Sequence, residues 1–174
     1  MAHALEQSSA PVADYGYLEA FTRQHRQADD IRALFKEHID QTATVIRDTS
    51  TNFKTVAQSV LDRCNAGETV ECDGLDALID GVMTWEVALA QDQDELARAL
   101  EIAERAAREE NPAVLPVIAE AGRHLTAIHA DNAEVCRDAR WMLMAVRARC
   151  QPSAPVGPIQ GQPMDLDAYE RSFG

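Results

Sequence analysis

The sequence predicts an all-α protein, folded as an antiparallel up-down-up bundle of three long helices. Three observations indicate this fold class. From about residue 15 to residue 151, apolar residues recur at steps of mostly three and four, in a pattern close to a coiled-coil heptad. Aromatic residues make up only 5% of the chain while alanine is abundant, which is typical of closely packed helices. Only two short stretches rich in turn and cap residues interrupt the pattern.

The first helix begins at Asp14 or near Gly16 and ends at residues 64–67, where Asn and Gly supply a C-terminal stop. It would contain about 50 residues and extend roughly 75 Å. Residues 47–52 include four poor helix formers in a row. If the helix breaks near residues 48–52, the chain forms a compact bundle of four helices instead. Its apolar stripe includes Leu18, Phe21, Ile31, Phe35, Ile39, Val45, Ile46, Phe53, Val56 and Val60.

The second and third helices follow after short connections. The second starts after Cys72, with Asp73 as its N-cap, and ends at residues 109–112. The third opens at Pro112 or Pro116 and stops at residues 150–152. Such short connections force consecutive helices to lie antiparallel to each other.

The N-terminal part of the first helix extends beyond the other two and carries Tyr17, Leu18 and Phe21. This overhang exposes apolar surface unless it folds back on the bundle or meets a second copy of the chain. We therefore expect a homo-oligomer, most simply a homodimer, with these three residues in its contact.

Composition divides the chain into a flexible arm at residues 1–13, the helical bundle at 14–151, and a tail at 152–174. The tail begins with PSAPVGPIQGQP, which has four prolines and two glycines and is typical of an extended linker. After it, Met164, Leu166, Tyr169 and Phe173 recur at short intervals with acidic residues between them. This pattern predicts a short linear motif that docks in a groove of a partner. Packing back on the bundle and disorder are the two alternatives.

The net charge of −13 comes from 16 basic and 29 acidic residues. Such a surface repels phosphate, so we expect no nucleic acid partner and instead a protein with a basic or apolar groove. The N-terminus lacks a signal-peptide pattern and no apolar run could cross a membrane, so we expect a cytoplasmic protein or one exported without a signal peptide. The excess of arginine over lysine is typical of a GC-rich bacterial genome.

Four cysteines raise the question of redox or metal chemistry. Cys64 and Cys72 flank the first turn and form a candidate redox pair, although free thiols are the simpler interpretation in a cytoplasmic protein. Their spacing does not match a zinc finger, and no Glu-x-x-His pair is present for a di-iron bundle. We therefore predict no metal and no cofactor.

One short pattern suggests catalysis. The stretch from Arg123 to His129 resembles the Arg-x5-His signature of the HEPN family of helical ribonucleases. The resemblance implies that His129 acts at the ribose 2′-hydroxyl or the leaving group and that Arg123 contacts the phosphate. However, it covers only seven residues, and the acidic surface disfavours RNA binding.

The sequence as a whole favours a non-catalytic adaptor, scaffold or assembly component, acting through helix–helix association and the C-terminal peptide. A secretion-associated helical protein is the alternative, and a HEPN-like ribonuclease is the lesser one.

Overall fold

A computed structural model describes residues 12–24 and 26–150, and within them the chain is helical apart from short turns. It contains α1 (Gly16–Thr22), α2 (Ala28–Asn65), α3 (Cys72–Glu110) and α4 (Leu115–Arg149), with a 3₁₀ turn, Pro112–Val114, just before α4. No strand occurs in these two ranges. The predicted all-α helical bundle is confirmed.

Ion pairs between α2 and α4 show that these two helices run in the same direction. Arg32 lies 3.3 Å from Glu120, and Lys54, further along α2, lies 2.9 Å from Asp138, further along α4. Because both pairs advance together along the chain, α2 and α4 are parallel. Helix α4 packs against both α2 and α3 and supplies most of the interhelical contacts.

Contacts between α3 and α4 run in the opposite sense. Asp76, near the start of α3, accepts two hydrogen bonds from Arg147, near the end of α4, at 2.6 and 3.3 Å. Asp92, in the middle of α3, contacts His129 in the middle of α4. The long helices therefore run up, down and up, as the short connections predict.

The core is built from the apolar stripes of the three long helices and from Leu18 of α1. Burying each large aliphatic or aromatic side chain stabilises the fold by about 1.5–3 kcal/mol. Val45 is an exception among the predicted stripe residues, because it is 52% exposed while its neighbour Ile46 is fully buried. The largest fully buried apolar side chains are Phe35, Leu18, Ile31, Ile46, Leu75, Leu96, Ile118, Leu125 and Leu143.

The alternative of a break near residues 48–52 does not occur, since α2 continues through this stretch without interruption. Ser50 lies on the inner face, fully buried, and its hydroxyl accepts a hydrogen bond from the indole of Trp85 at 3.1 Å. The Thr55 hydroxyl donates a hydrogen bond to the carbonyl of Thr51. Poor helix formers cost only a few tenths of a kcal/mol each, and tertiary packing offsets that cost here.

The chain bends instead between the end of α1 and the start of α2. Gln27, the N-cap of α2, has an extended backbone (φ −61°, ψ 148°), so the helix cannot continue from α1 into α2. Helix α1 therefore folds against α3 rather than extending α2. An ion pair between Arg23 and Glu110 and a hydrogen bond from the Asn111 side chain to the Arg26 carbonyl hold the bend to the end of α3.

This bend removes the predicted overhang. Leu18 is fully buried, Tyr17 is 9% exposed and Phe21 is half-buried against the core. Tyr17 also stacks on the imidazole ring of His38 at a centroid distance of 4.6 Å. The apolar residues that we expected in a dimer contact are covered by their own chain.

The end of α2 follows the predicted stop. Gly67 has a φ of 82°, its N–H donates to the Cys64 carbonyl, and the Glu68 N–H donates to the Arg63 carbonyl. This is a Schellman motif, which needs a residue that tolerates a left-handed backbone. The N-cap of α3 is Glu71, two residues before the expected Asp73, so Cys72 is already helical and Asp73 lies in the first turn.

Candidate functional site

A network of charged and polar side chains lies in the interior, between the N-terminal segment, α3 and α4. The Asp92 carboxylate accepts hydrogen bonds from the Tyr15 hydroxyl at 2.5 Å, from the His129 Nε2 at 2.8 Å and from the Ala13 backbone N–H at 3.1 Å. The Nδ1 of His129 lies 2.8 Å from the carbonyl oxygen of Leu125. Asp92 and His129 are each 2% exposed and Tyr15 is 4% exposed.

The neighbours of His129 determine its protonation state. The carbonyl of Leu125 can only accept, so the Nδ1 of His129 must carry a proton. The pKa of Asp92 is lowered, which keeps the carboxylate ionised, and since an ionised carboxylate can only accept, the Nε2 carries a second proton. The arrangement is therefore a buried imidazolium–carboxylate pair, and the Tyr15 hydroxyl donates to the same carboxylate.

The pKa values of the pair move in the directions that this assignment requires. Burial by itself lowers the pKa of His129, but its hydrogen bonds to Asp92 and Leu125 and the Asp92 charge outweigh burial, and the net pKa is raised. Burial raises the pKa of Asp92, but hydrogen bonds from His129, Tyr15 and Ala13 more than compensate, and its net pKa is lowered. Burial and the Asp92 contact raise the pKa of Tyr15, which keeps its hydroxyl protonated.

The network attaches the N-terminal segment to the bundle. Ala13 and Tyr15 belong to the segment that precedes α1, whereas Asp92 lies on α3 and His129 on α4. Both ring nitrogens of His129 are engaged inside the core, while Arg123 lies on the exposed side of α4. The structure thus separates the two residues of the HEPN-like pattern and gives His129 a structural partner.

Large apolar residues are exposed on α3 and α4 in the half of the bundle where α3 begins and α4 ends. Met83 is 47% exposed and Val87 is 56% exposed, one turn apart on α3. Trp141 and Met144, on successive turns of α4, are each 38% exposed. We call these four residues the α3–α4 face.

The two halves of the α3–α4 face lie at the same level of the bundle. Glu86 of α3 and Arg140 of α4 approach to 3.0 Å. The Nε–H of Arg140 is not aligned on the carboxylate, so the contact is an ion pair and not a hydrogen bond. On α3, Glu86 lies between Met83 and Val87, and on α4, Trp141 and Met144 follow Arg140 within about one turn. All four apolar residues therefore lie in the turns next to this ion pair.

Three of the four cysteines lie together at the end of the bundle where α2 ends, α3 begins and α4 ends. The Sγ of Cys150 is 3.8 Å from the Val70 carbonyl oxygen, and burial and the neighbouring thiols of Cys72 and Cys64 raise the pKa of Cys150. The guanidinium of Arg149 lies 3.9 Å from the Sγ of Cys64. We call Cys64, Cys72 and Cys150 the thiol cluster.

The fourth cysteine, Cys136, is fully buried among the helices and is separate from the thiol cluster. All four are free thiols in this structure. Within residues 12–24 and 26–150, no group of three or more His, Cys, Asp or Glu side chains has an arrangement that could hold a metal ion.

The tail residues predicted to bind a partner, Met164, Leu166, Tyr169 and Phe173, lie outside the described residues. The sequence did not predict the Asp92 network. A signal for it was present, because Asp92 follows Leu89 by three residues and precedes Leu96 by four, which places a carboxylate on the core face of α3. Burial of a carboxylate at such a position requires a partner, and only the fold shows that His129 and Tyr15 supply it.

Comparison of the chain with protein-family models, with curated proteins and with solved structures finds no match. Among the described residues, none of the helices has the length and apolar character needed to cross a membrane.

Proposed function

We propose that this chain is a non-catalytic interaction protein, an adaptor or assembly component, which binds a protein partner through the α3–α4 face and the C-terminal peptide. The observation that supports the proposal is the group of four large apolar side chains exposed on adjacent turns of two helices. Isolated apolar residues on a surface are ordinary, whereas a group rimmed by charged residues is typical of a protein interaction site.

The charge around the α3–α4 face agrees with a partner that is apolar or basic. The ion pairs Glu86–Arg140 and Asp76–Arg147 are each neutral as a pair, so the field that a partner meets is set by the net charge of −13 of the whole chain. An acidic surface attracts a basic partner and accelerates association with it. The proposal includes the cytoplasmic location expected from the sequence.

A second copy of the chain is one partner of this kind. The residues that we first assigned to a dimer contact are covered by their own chain, so association would use the α3–α4 face instead. Two copies related by a two-fold axis would place identical apolar residues against each other.

The test compares one exposed valine with another. Val87→Lys places a charge in the α3–α4 face, and Val45→Lys places the same charge at a position of similar exposure on α2, 52% against 56%. Each full-length variant, and a chain ending at residue 151, is used as bait beside the parent, and the mass of each purified protein is measured by light scattering.

The proposal expects capture of a partner by the parent and by Val45→Lys, with loss or at least a tenfold weakening for Val87→Lys. Loss with the shortened chain as well shows that the C-terminal peptide also contributes. A mass that falls to the monomer only in Val87→Lys identifies the partner as a second copy. Equal binding and equal mass for Val87→Lys and Val45→Lys would contradict the α3–α4 face as the binding site.

A further inference from the structure

The thiol cluster has a specific pairing that the sequence did not indicate. Cys64 and Cys72 are close along the chain, but the register of α3 and α4 brings Cys72 to Cys150. Residue 92 faces residue 129 and residue 76 faces residue 147, so each step towards the start of α3 matches a step towards the end of α4. The same register places residue 72 level with residues 149 and 150.

Side-chain contacts agree with this register. The two hydrogen bonds between Arg147 and Asp76 fix the helix ends one turn from both cysteines. The Cys150 thiol approaches the carbonyl of Val70, two residues before Cys72. The Cys64 thiol lies beside Arg149, through a contact of 3.9 Å, and after burial it raises the pKa of Cys150 less than Cys72 does.

Both thiols are also reachable. Cys72 and Cys150 are partly exposed, whereas Cys136 is fully buried. Cys72 is the first residue of α3 and Cys150 directly follows the last residue of α4. Small adjustments at helix ends are less costly than adjustments inside a packed helix, because the terminal turns have fewer hydrogen bonds to break.

We propose that Cys72 and Cys150 form a reversible disulfide, a modification site that joins the start of α3 to the end of α4. The oxidant is a low-molecular-weight disulfide. One protein thiol, as the thiolate, attacks a sulfur of the reagent and releases one reagent thiol, and the other protein thiol then displaces the second. The reagent S–S bond breaks, one Cys72 Sγ–Cys150 Sγ bond forms, and the reagent gains the two electrons and two hydrogens that the protein loses.

This inference goes beyond the proposed function and does not rest on it. The bond would close the end of the α3–α4 hairpin at the residue from which the C-terminal segment begins. It would also leave Cys64 reduced, although Cys64 is the sequence neighbour of Cys72.

The experiment oxidises the full-length protein with glutathione disulfide and maps the product by mass spectrometry without reduction. Trypsin releases residues 64–98, which contain both Cys64 and Cys72, and residues 150–171, which contain Cys150. The proposal expects these two peptides to be joined. Additional cleavage after Glu68 or Glu71 separates Cys64 from Cys72 and identifies which of them is linked.

Variants make the assignment independent of peptide mapping. Cys64→Ser should retain the link between the two peptides, and Cys72→Ser or Cys150→Ser should abolish it. The oxidised parent should melt roughly 5–15 °C above the reduced parent, since the bond closes a long loop, and dithiothreitol should reverse the difference. A loop closed within residues 64–98, a link that needs Cys64, or glutathione adducts alone would overturn the proposal.

Discussion

Two polar clusters lie inside this bundle, and they differ in charge. The first is an ion pair with a tyrosine and joins the N-terminal segment to α3 and α4. The second is neutral and joins α2 to α3 and α4. The Trp85 indole donates a hydrogen bond to Ser50, and burial raises the pKa of the nearby Cys136 thiol against the opposing effect of the same hydroxyl. The charged cluster consists of Tyr15, Asp92 and His129, and the neutral cluster of Ser50, Trp85 and Cys136.

The difference shows how the two regions are held. Helix α2 packs along its whole length through apolar residues, so its neutral cluster adds only a local hydrogen bond. The described residues before α1 are held by two hydrogen bonds to a single carboxylate, from Ala13 and Tyr15, together with the burial of Leu18 and Tyr17. Removal of one member of a buried ion pair is strongly destabilising, because the remaining charge is left without a partner. The attachment of α1 should therefore be the part of the fold most sensitive to single substitutions.

The largest effect is expected from removing one member of the ion pair. Asp92→Leu leaves the His129 ring without its carboxylate and should lower the free energy of unfolding by about 3–5 kcal/mol. Urea unfolding followed by circular dichroism measures the loss. The His129→Leu variant should lose a similar amount, and the double variant should lose clearly less than the two single losses added together. Additive losses would show that the two side chains are not coupled in the folded chain.

A pair of tyrosines provides a smaller and better matched comparison. Tyr15→Phe removes a hydroxyl that donates to a carboxylate and should cost about 1.5–3 kcal/mol. Tyr17→Phe removes a buried hydroxyl that has no hydrogen-bond partner among the described residues, so it should be neutral or slightly stabilising. Both variants are measured by the same urea titration. Equal losses would mean that the Asp92 contact contributes nothing specific.

The charged cluster should also make stability depend on pH. The pKa of His129 is raised in the folded chain, so its contribution is complete below its ordinary value of 6.5 and is lost as pH rises through the folded value. The pKa of Asp92 is lowered, so its contribution is present above its ordinary value of 3.8 and is lost as pH falls through the folded value. The window of full contribution therefore lies between these two ordinary values.

Thermal unfolding from about pH 5 to about pH 9 tests this dependence on the alkaline side. Because a single proton is involved, the contribution of His129 to the free energy of unfolding can change by at most about 1.4 kcal/mol per pH unit. The double variant Asp92→Leu/His129→Leu serves as the control, since it keeps every other titrating group. If the parent and the double variant follow the same pH profile, His129 is not protonated in the folded chain.

The smallest effect is expected in the neutral cluster. Ser50→Ala removes the acceptor of the Trp85 indole and should cost about 1 kcal/mol. It should not change the pH profile, because no charge is left unpaired. A loss as large as that of Asp92→Leu would show that the two clusters do not differ in the way described.

The helices themselves could be predicted because their signals are local. The three-and-four spacing of residues such as Leu75, Leu78 and Val82 places them on one face of a helix whatever surrounds them. The end of α2 at Gly67 could also be predicted, since a left-handed backbone favours glycine. The position of the bend between α1 and α2 could not be predicted in this way. Poor helix formers at residues 47–52 are a weak signal that packing overrides, and residues 23–27 carry no glycine or proline that would have marked the true bend.

The candidate sites depend on distance in space and were less accessible to sequence reasoning. Cys64 and Cys72 are neighbours in sequence, whereas the register of α3 and α4 brings the start of α3 at Cys72 level with Cys150, 78 positions away along the chain. Likewise, the Arg-x5-His pattern drew attention to His129, but its partner Asp92 lies on another helix.

By itself, the sequence determined the fold class, the lengths of α3 and α4, the end of α2 and the order of the helices, because helix periodicity and short connections act over a few residues. Only the tertiary structure decided that α1 folds back, that Asp92 and His129 form an ion pair, and which side chains remain exposed on the α3–α4 face. These features depend on which helix faces meet, and on whether a buried charge finds a partner there. Both are properties of the packed bundle and not of any one segment.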